Sequence, residues 1–252
     1  MTIEYGSKGL IGVLTPQANT TVEPEYWSLM PRGFSLINAR LVSSCQTIEE
    51  RLVDYFLNLD RSIHQFGNAP IRILSIACTG SSYLVGRQKE EAILNRLSKS
   101  LGISVVSSGV SVVAALNQLG ASKIALCSPY PDSLTKLSIA YWESFGFEVS
   151  KVVTVSQAHG QFHPIYGISA QSALDGLVSL SESDAQAIVM LGTGMPTLMP
   201  LIKGNELIVN LPVISCMLST VWYSVSQIDS SFAEISDWIK NPFWLERYNS
   251  IQ

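Results

Sequence analysis

Cys78 follows the apolar run Ile71-Arg72-Ile73-Leu74-Ser75-Ile76-Ala77 and precedes the small polar residues Thr79, Gly80, Ser81 and Ser82. A strand that turns into a helix here places the thiol at a helix N-terminus, beside unpaired backbone N–H groups and the positive end of the helix dipole. Such a setting lowers a thiol's pKa and makes the thiolate accessible. The same N–H groups, those of the Gly80 turn, can hold a carboxylate or a developing enolate. A buried, inert cysteine at a strand end fits the local pattern equally well.

Three further loops carry polar groups of the right type. In Thr15-Pro16-Gln17-Ala18-Asn19-Thr20-Thr21, the side chains of Asn19, Thr20 and Thr21 are suited to cap a helix or to bind an anion. In Ser128-Pro129-Tyr130-Pro131-Asp132-Ser133, Tyr130 can aim its hydroxyl into a cleft while Asp132 or Ser133 caps the next helix. Gly192-Thr193-Gly194 permits close backbone approach and can offer N–H groups to a carboxylate, but no proton. His159 and His163 stand in a loop and are candidates for a general acid or base, with a plain surface role as the alternative. Cys45 and Cys127 read as structural, and Cys216 as either cleft-facing or buried.

The elements that must position these residues alternate between strand and helix. Apolar, β-rich runs mark strands at Leu10–Leu14, Ile71–Ala77, Ser104–Ser107, Lys123–Cys127, Ala187–Leu191 and Leu211–Ser215. Helical patterns cover Ile48–Phe66, Arg87–Leu101, Ser111–Leu119 and Ser133–Phe145. This alternation predicts an α/β fold with mostly parallel sheets. The chain also repeats itself. Ile11-Gly12-Val13-Leu14-Thr15-Pro16 is echoed by Ile124-Ala125-Leu126-Cys127-Ser128-Pro129, Ala77-Cys78-Thr79-Gly80 by Leu191-Gly192-Thr193-Gly194, and Val105-Val106-Ser107-Ser108 by Val213-Ile214-Ser215-Cys216, at an offset of about 110 residues. Two similar α/β lobes follow, each a mostly parallel sheet flanked by helices. The first takes residues 1–115 and the second residues 116–252 with a C-terminal helical tail, the last segment being free to cross over. Ligands collect outside the carboxyl ends of parallel strands, so the active site is expected between the lobes.

Composition narrows the function. Apolar residues make up 47% of the 252 and charged residues 14%, a balance that suits a buried core and excludes disorder. A net charge of -4 without a basic face argues against nucleic acid. No apolar run approaches the roughly 20 residues of a membrane helix, and the N-terminus lacks a signal peptide's regions. Four cysteines without a CxxC pair fit a reduced, cytoplasmic protein. With three histidines, they argue against a zinc site.

The stretch Ile11-Gly12-Val13-Leu14-Thr15-Pro16-Gln17-Ala18-Asn19-Thr20-Thr21-Val22-Glu23 resembles the N-terminal signature of bacterial maleate cis-trans isomerases, in the aspartate/glutamate racemase superfamily. The segments Ala77 to Tyr83, Ser128-Pro129-Tyr130 and Gly192 to Leu198 continue the resemblance and are also similar to arylmalonate decarboxylase. The resemblance spans about residues 8–225. It implies two pseudo-symmetric Rossmann-like lobes, an enzyme without metal or cofactor, a small carboxylate as its partner and a tendency to homo-oligomers. It also implies Cys78 as the first-lobe thiol, Asn19 and Tyr130 as carboxylate ligands, and Thr79 and Ser82 in the anion pocket. The family's second cysteine falls on Gly192, which excludes two-thiol racemisation. Three functions stay open: a maleate-isomerase-like reaction with Cys78 as nucleophile, a lyase such as a decarboxylase with Cys78 as proton donor, and carboxylate binding without catalysis. His163 or Cys216 are the candidates to replace the missing thiol.

Overall fold

The computed structural model describes residues 3–155, 164–208 and 211–251. The long apolar runs become the inner strands of two four-stranded, wholly parallel sheets. The first holds β1 (Gly9–Pro16), β2 (Phe34–Leu41), β3 (Ile73–Ile76) and β4 (Ser104–Ser107), in the order β2-β1-β3-β4. The second holds β5 (Lys123–Ser128), β6 (Glu148–Thr154), β7 (Ala187–Met190) and β8 (Val213–Ser215), in the order β6-β5-β7-β8. Strands β2 and β6, which no apolar run marks, are outer strands of the two sheets.

Helices cover the sheets. In the first half they are α1 (Val22–Leu29), α2 (Ile48–Leu57), α3 (Leu59–Ile63), α4 (Thr79–Val85), α5 (Arg87–Leu101) and α6 (Ser108–Gln118). The second half contributes α7 (Asp132–Ser144), α8 (Ala170–Val178), α9 (Leu198–Leu207), α10 (Cys216–Ser226), α11 (Ile235–Lys240) and α12 (Leu245–Ser250). The single helix expected over Ile48–Phe66 is three pieces: it breaks at Asn58 and finishes in a short 3-10 turn. A capping box of Thr47 and Glu50 starts it.

The repeat in the sequence is a repeat in register. Ala77 N–H bonds to Leu14 O at 2.9 Å, and Leu191 N–H bonds to Cys127 O at 2.9 Å. Cys78 and Gly192 therefore leave their sheets at matching points. Ser107 and Ser215 cap α6 and α10 through the N–H groups of Val110 and Leu218. These two helices pack against each other at the join between the halves, where Thr220 Oγ1 and Ser108 Oγ are hydrogen-bonded at 2.9 Å. The tail returns to the first half: α10 and α12 both pack on α1. One apolar core runs through the join, and a smaller one lies under α2, α3 and α5.

Candidate active site

Cys78 caps α4 with an extended backbone, φ −149° and ψ 92°. Its side chain is 3% exposed, and Sγ lies 3.1 Å from Ser81 Oγ. Burial pushes the thiol above its ordinary range, and the hydroxyl and N–H of Ser81 pull it down without offsetting that. The lowered pKa expected from the helix N-terminus is thus reversed by desolvation, and the sulfur keeps its proton at neutral pH.

The sulfur opens on a cavity of about 100 Å³ between the two halves, the volume of roughly three waters. Its polar side is made by Cys78, Thr79, Gly80, Asn19, Tyr130, Thr193 and Gly194. As first-turn donors, the N–H groups of Thr79 and Gly80 have no partner within α4. Thr79 Oγ1 is buried without a hydrogen-bond partner, a costly state that a bound oxygen relieves. The Tyr130 hydroxyl faces Thr79, and burial holds that phenol well above its ordinary pKa, so it remains a donor. The opposite side is apolar, built by Ile48 and Leu52 of α2, Leu134 of α7, and Ile165. Glu49 is the charged residue on this wall, and no Lys, Arg or His lines the cavity among the described residues.

Asn19, Thr21 and Thr193 tie the halves together at the cavity floor. Asn19 Oδ1 accepts the N–H groups of Thr21 and Val22 at 2.8 and 3.0 Å, capping α1, while Nδ2 donates to Thr193 O at 3.1 Å. Thr21 Oγ1 donates to Gly194 O at 2.8 Å, and Thr193 Oγ1 to Ala77 O at 2.9 Å. Tyr166 packs so tightly on Gly194 that an added β-carbon would lie 2.4 Å from its ring.

Other expected residues stand elsewhere. Gly192, at φ +85°, does not line the cavity, and a β-carbon on it would lie 3.2 Å from the Tyr130 hydroxyl. Ser82, expected in the anion pocket, turns away and donates to Glu90 Oε1 at 2.6 Å; Tyr141 donates to Oε2 at 2.6 Å. His159 and His163 lie outside the described residues. Cys216 is buried behind the cavity wall, facing Thr79, Tyr83 and the Gly192 N–H, and burial pushes its thiol up to about 11. Sequence reasoning missed the apolar wall, Tyr166 and the buried Glu25, none of which has a type or spacing that signals a site. A second cavity of about 630 Å³ lies by α9, α11 and α12, is lined by Trp238 and Trp244, and contains none of these residues.

Paired parallel sheets with a cysteine on a helix N-terminus between them define a two-lobed α/β fold that places a thiol at the cavity between its halves. The chain belongs to the arylmalonate decarboxylase family, whose model matches residues 11–236. It is 27% identical over 228 residues to a maleate isomerase of Geobacillus stearothermophilus, covering 84% of this chain and 88% of that one. Its fold is similar to the crystal structure of a maleate isomerase from Pseudomonas putida S16, with a TM-score of 0.76 and 21% identity over 88% of this chain and 93% of that one. It is also similar to a mutant of the Nocardia farcinica maleate cis-trans isomerase solved with a covalently bound succinylcysteine intermediate, with a TM-score of 0.73 and 22% identity over 88% and 93% of the two chains.

Proposed function

We propose that this protein isomerises a small unsaturated dicarboxylate of the maleate type through Cys78, without a cofactor. The observation that carries the reading is the meeting, in one cavity, of the Cys78 sulfur, the α4 N-terminus and the unpartnered Thr79 hydroxyl. One carboxylate sits on the Thr79 and Gly80 N–H groups, the Thr79 hydroxyl and the Tyr130 hydroxyl. The thiol adds across the double bond: sulfur bonds to one alkene carbon, and the thiol proton, passed by the Tyr130 hydroxyl, goes to the other. The bond between the two carbons is then single and rotates. Elimination reverses both bond changes, returns the proton to sulfur and leaves the trans isomer. No atom is gained or lost. The curated relative named a maleate isomerase and the neighbour that holds a succinylcysteine support this assignment. The test is incubation with maleate, followed by proton NMR. Fumarate should appear with the wild type and not with Cys78→Ala; no fumarate from the wild type overturns the reading.

A second reading has its own support. The apolar wall of Ile48, Leu52, Leu134 and Ile165 faces the thiol, and a carboxylate placed there gains by leaving as neutral carbon dioxide. The protonated thiol then supplies the proton to the carbanion. Carbon dioxide released from phenylmalonate, with maleate unchanged, would favour this decarboxylase. The proposal extends to a cytoplasmic setting, in keeping with four free thiols, and to a homo-oligomer, which light scattering would test.

A further inference from the structure

We propose that Glu25 is a positioning residue: buried between the halves, its carboxyl group seats the start of α9 and so fixes the Thr193–Gly194 edge of the cavity. The inference rests on the reading of that cavity as a carboxylate pocket.

Glu25 lies on α1, in the first half, and reaches into the second. The cap residue of α9, Thr197, makes no side-chain cap for its own helix. Glu25 supplies the cap instead. Its Oε1 accepts the N–H of Thr197 and, at 3.3 Å, the N–H of Leu198. Its Oε2 lies 2.7 Å from Thr197 Oγ1, which lies 3.1 Å from Ser215 Oγ, the cap of α10. Asn19 and Thr21 hold Thr193 and Gly194 from the same side. Three side chains from one short stretch of the first half thus hold the second-half loop at residues 193, 194 and 197.

The grip has two protonation states that both satisfy its donors. Ionised, Glu25 accepts from the Thr197 hydroxyl. Protonated, it donates to that hydroxyl, which in turn donates to Ser215. Burial raises Glu25 from 4.5 to about 7 against the pull of its hydrogen bonds. The titratable group that faces it is Tyr248 of α12, while Arg247 on that helix lies against Arg32. From α9 and β8 it meets Thr197, Leu198 and Ser215, none of which titrates. Ionisation therefore sets an uncompensated charge behind the loop and cancels the positive end of α9. Anion affinity in the cavity should fall as pH rises through 7.

The experiment compares alkylation of Cys78 by iodoacetate and by iodoacetamide, with the site located by mass spectrometry. The two probes share one electrophile and one thiol, so their rate ratio cancels thiol ionisation and reports attraction for the carboxylate. Between pH 6 and pH 8 the wild-type ratio should fall by about four-fold, the size of one partly screened charge close behind the pocket. Glu25→Gln keeps the hydrogen bonds and cannot ionise, so its ratio should stay at the low-pH value. Glu25→Ala releases the loop, and its ratio should be several-fold lower at every pH. Should that variant fail to fold, the glutamine variant decides alone. A wild-type preference for iodoacetate that both variants carry unchanged overturns the role of Glu25. No preference in the wild type overturns the carboxylate pocket itself and the inference with it.

Discussion

The two strand-end turns that repeat in this chain have taken different forms. In the first half, Cys78 is followed at once by α4, whose N-terminus opens on the cavity. In the second half, Gly192 is followed by a five-residue loop before α9, and that helix is stoppered by Glu25. One helix end is left for a ligand, and the other is occupied by the protein's own carboxyl group. The difference teaches that matching helix ends need not share a role: the first opens on the cavity and the second is closed from within.

This asymmetry can be attacked at its strongest point first. Replacing Cys78 with Ala should lower turnover by roughly a thousand-fold or more, since the bond-forming atom is gone, while leaving binding of a dicarboxylate measurable by calorimetry. Undiminished turnover would remove the first-half turn from the chemistry.

At the stoppered end, the effect should be on stability. Glu25 holds its proton more tightly folded, at about 7, than unfolded, at 4.5. The stability this contributes is complete below the unfolded value and is lost as pH rises through the folded one. The loss is on the order of 3 kcal/mol at full extent. Urea midpoints of the wild type should therefore fall between pH 5 and pH 8 by more than those of Glu25→Gln; parallel curves would break the assignment.

Thr79→Val keeps the shape of the open helix end and removes its unpartnered hydroxyl. We expect kcat/KM to drop by roughly ten- to a hundred-fold, with stability unchanged or slightly improved because a buried, unsatisfied group is gone. The smallest effect belongs to Gly192→Ala. A β-carbon there meets Pro129 at 3.0 Å and requires φ +85° of an L-residue. The cost should be about 1–2 kcal/mol, seen as a melting temperature lower by roughly 2–8 °C.

The inner strands were legible because both their faces are covered, so β7 is apolar throughout and β3 is broken only by the small, buried Ser75. Strands β2 and β6 were not, since an outer strand half open to solvent admits Ser35, Asn38 and Arg40, or Ser150 and Lys151, among its apolar residues. The site divides in the same way. Cys78, Thr79, Gly80, Tyr130, Thr193 and Gly194 were legible because the chemistry lies at strand ends. Ser82 was misplaced because its hydroxyl is taken by the buried carboxyl group of Glu90 on α5, a tertiary contact that the local sequence does not show. Glu25 reads locally as an ordinary first-turn acid of a helix. Only the three-dimensional contact with α9 gives it a task.

The buried bonds from Ser82 and Tyr141 to Glu90 bind α4 to α7, the helix behind the thiol to the helix that follows Tyr130. Burial raises the pKa of this carboxyl group as well, and both of its oxygens are engaged. Prising the halves apart like jaws would tear that clasp, and among the described residues the exposed rim of the cavity includes Ile48 and Glu49 of α2.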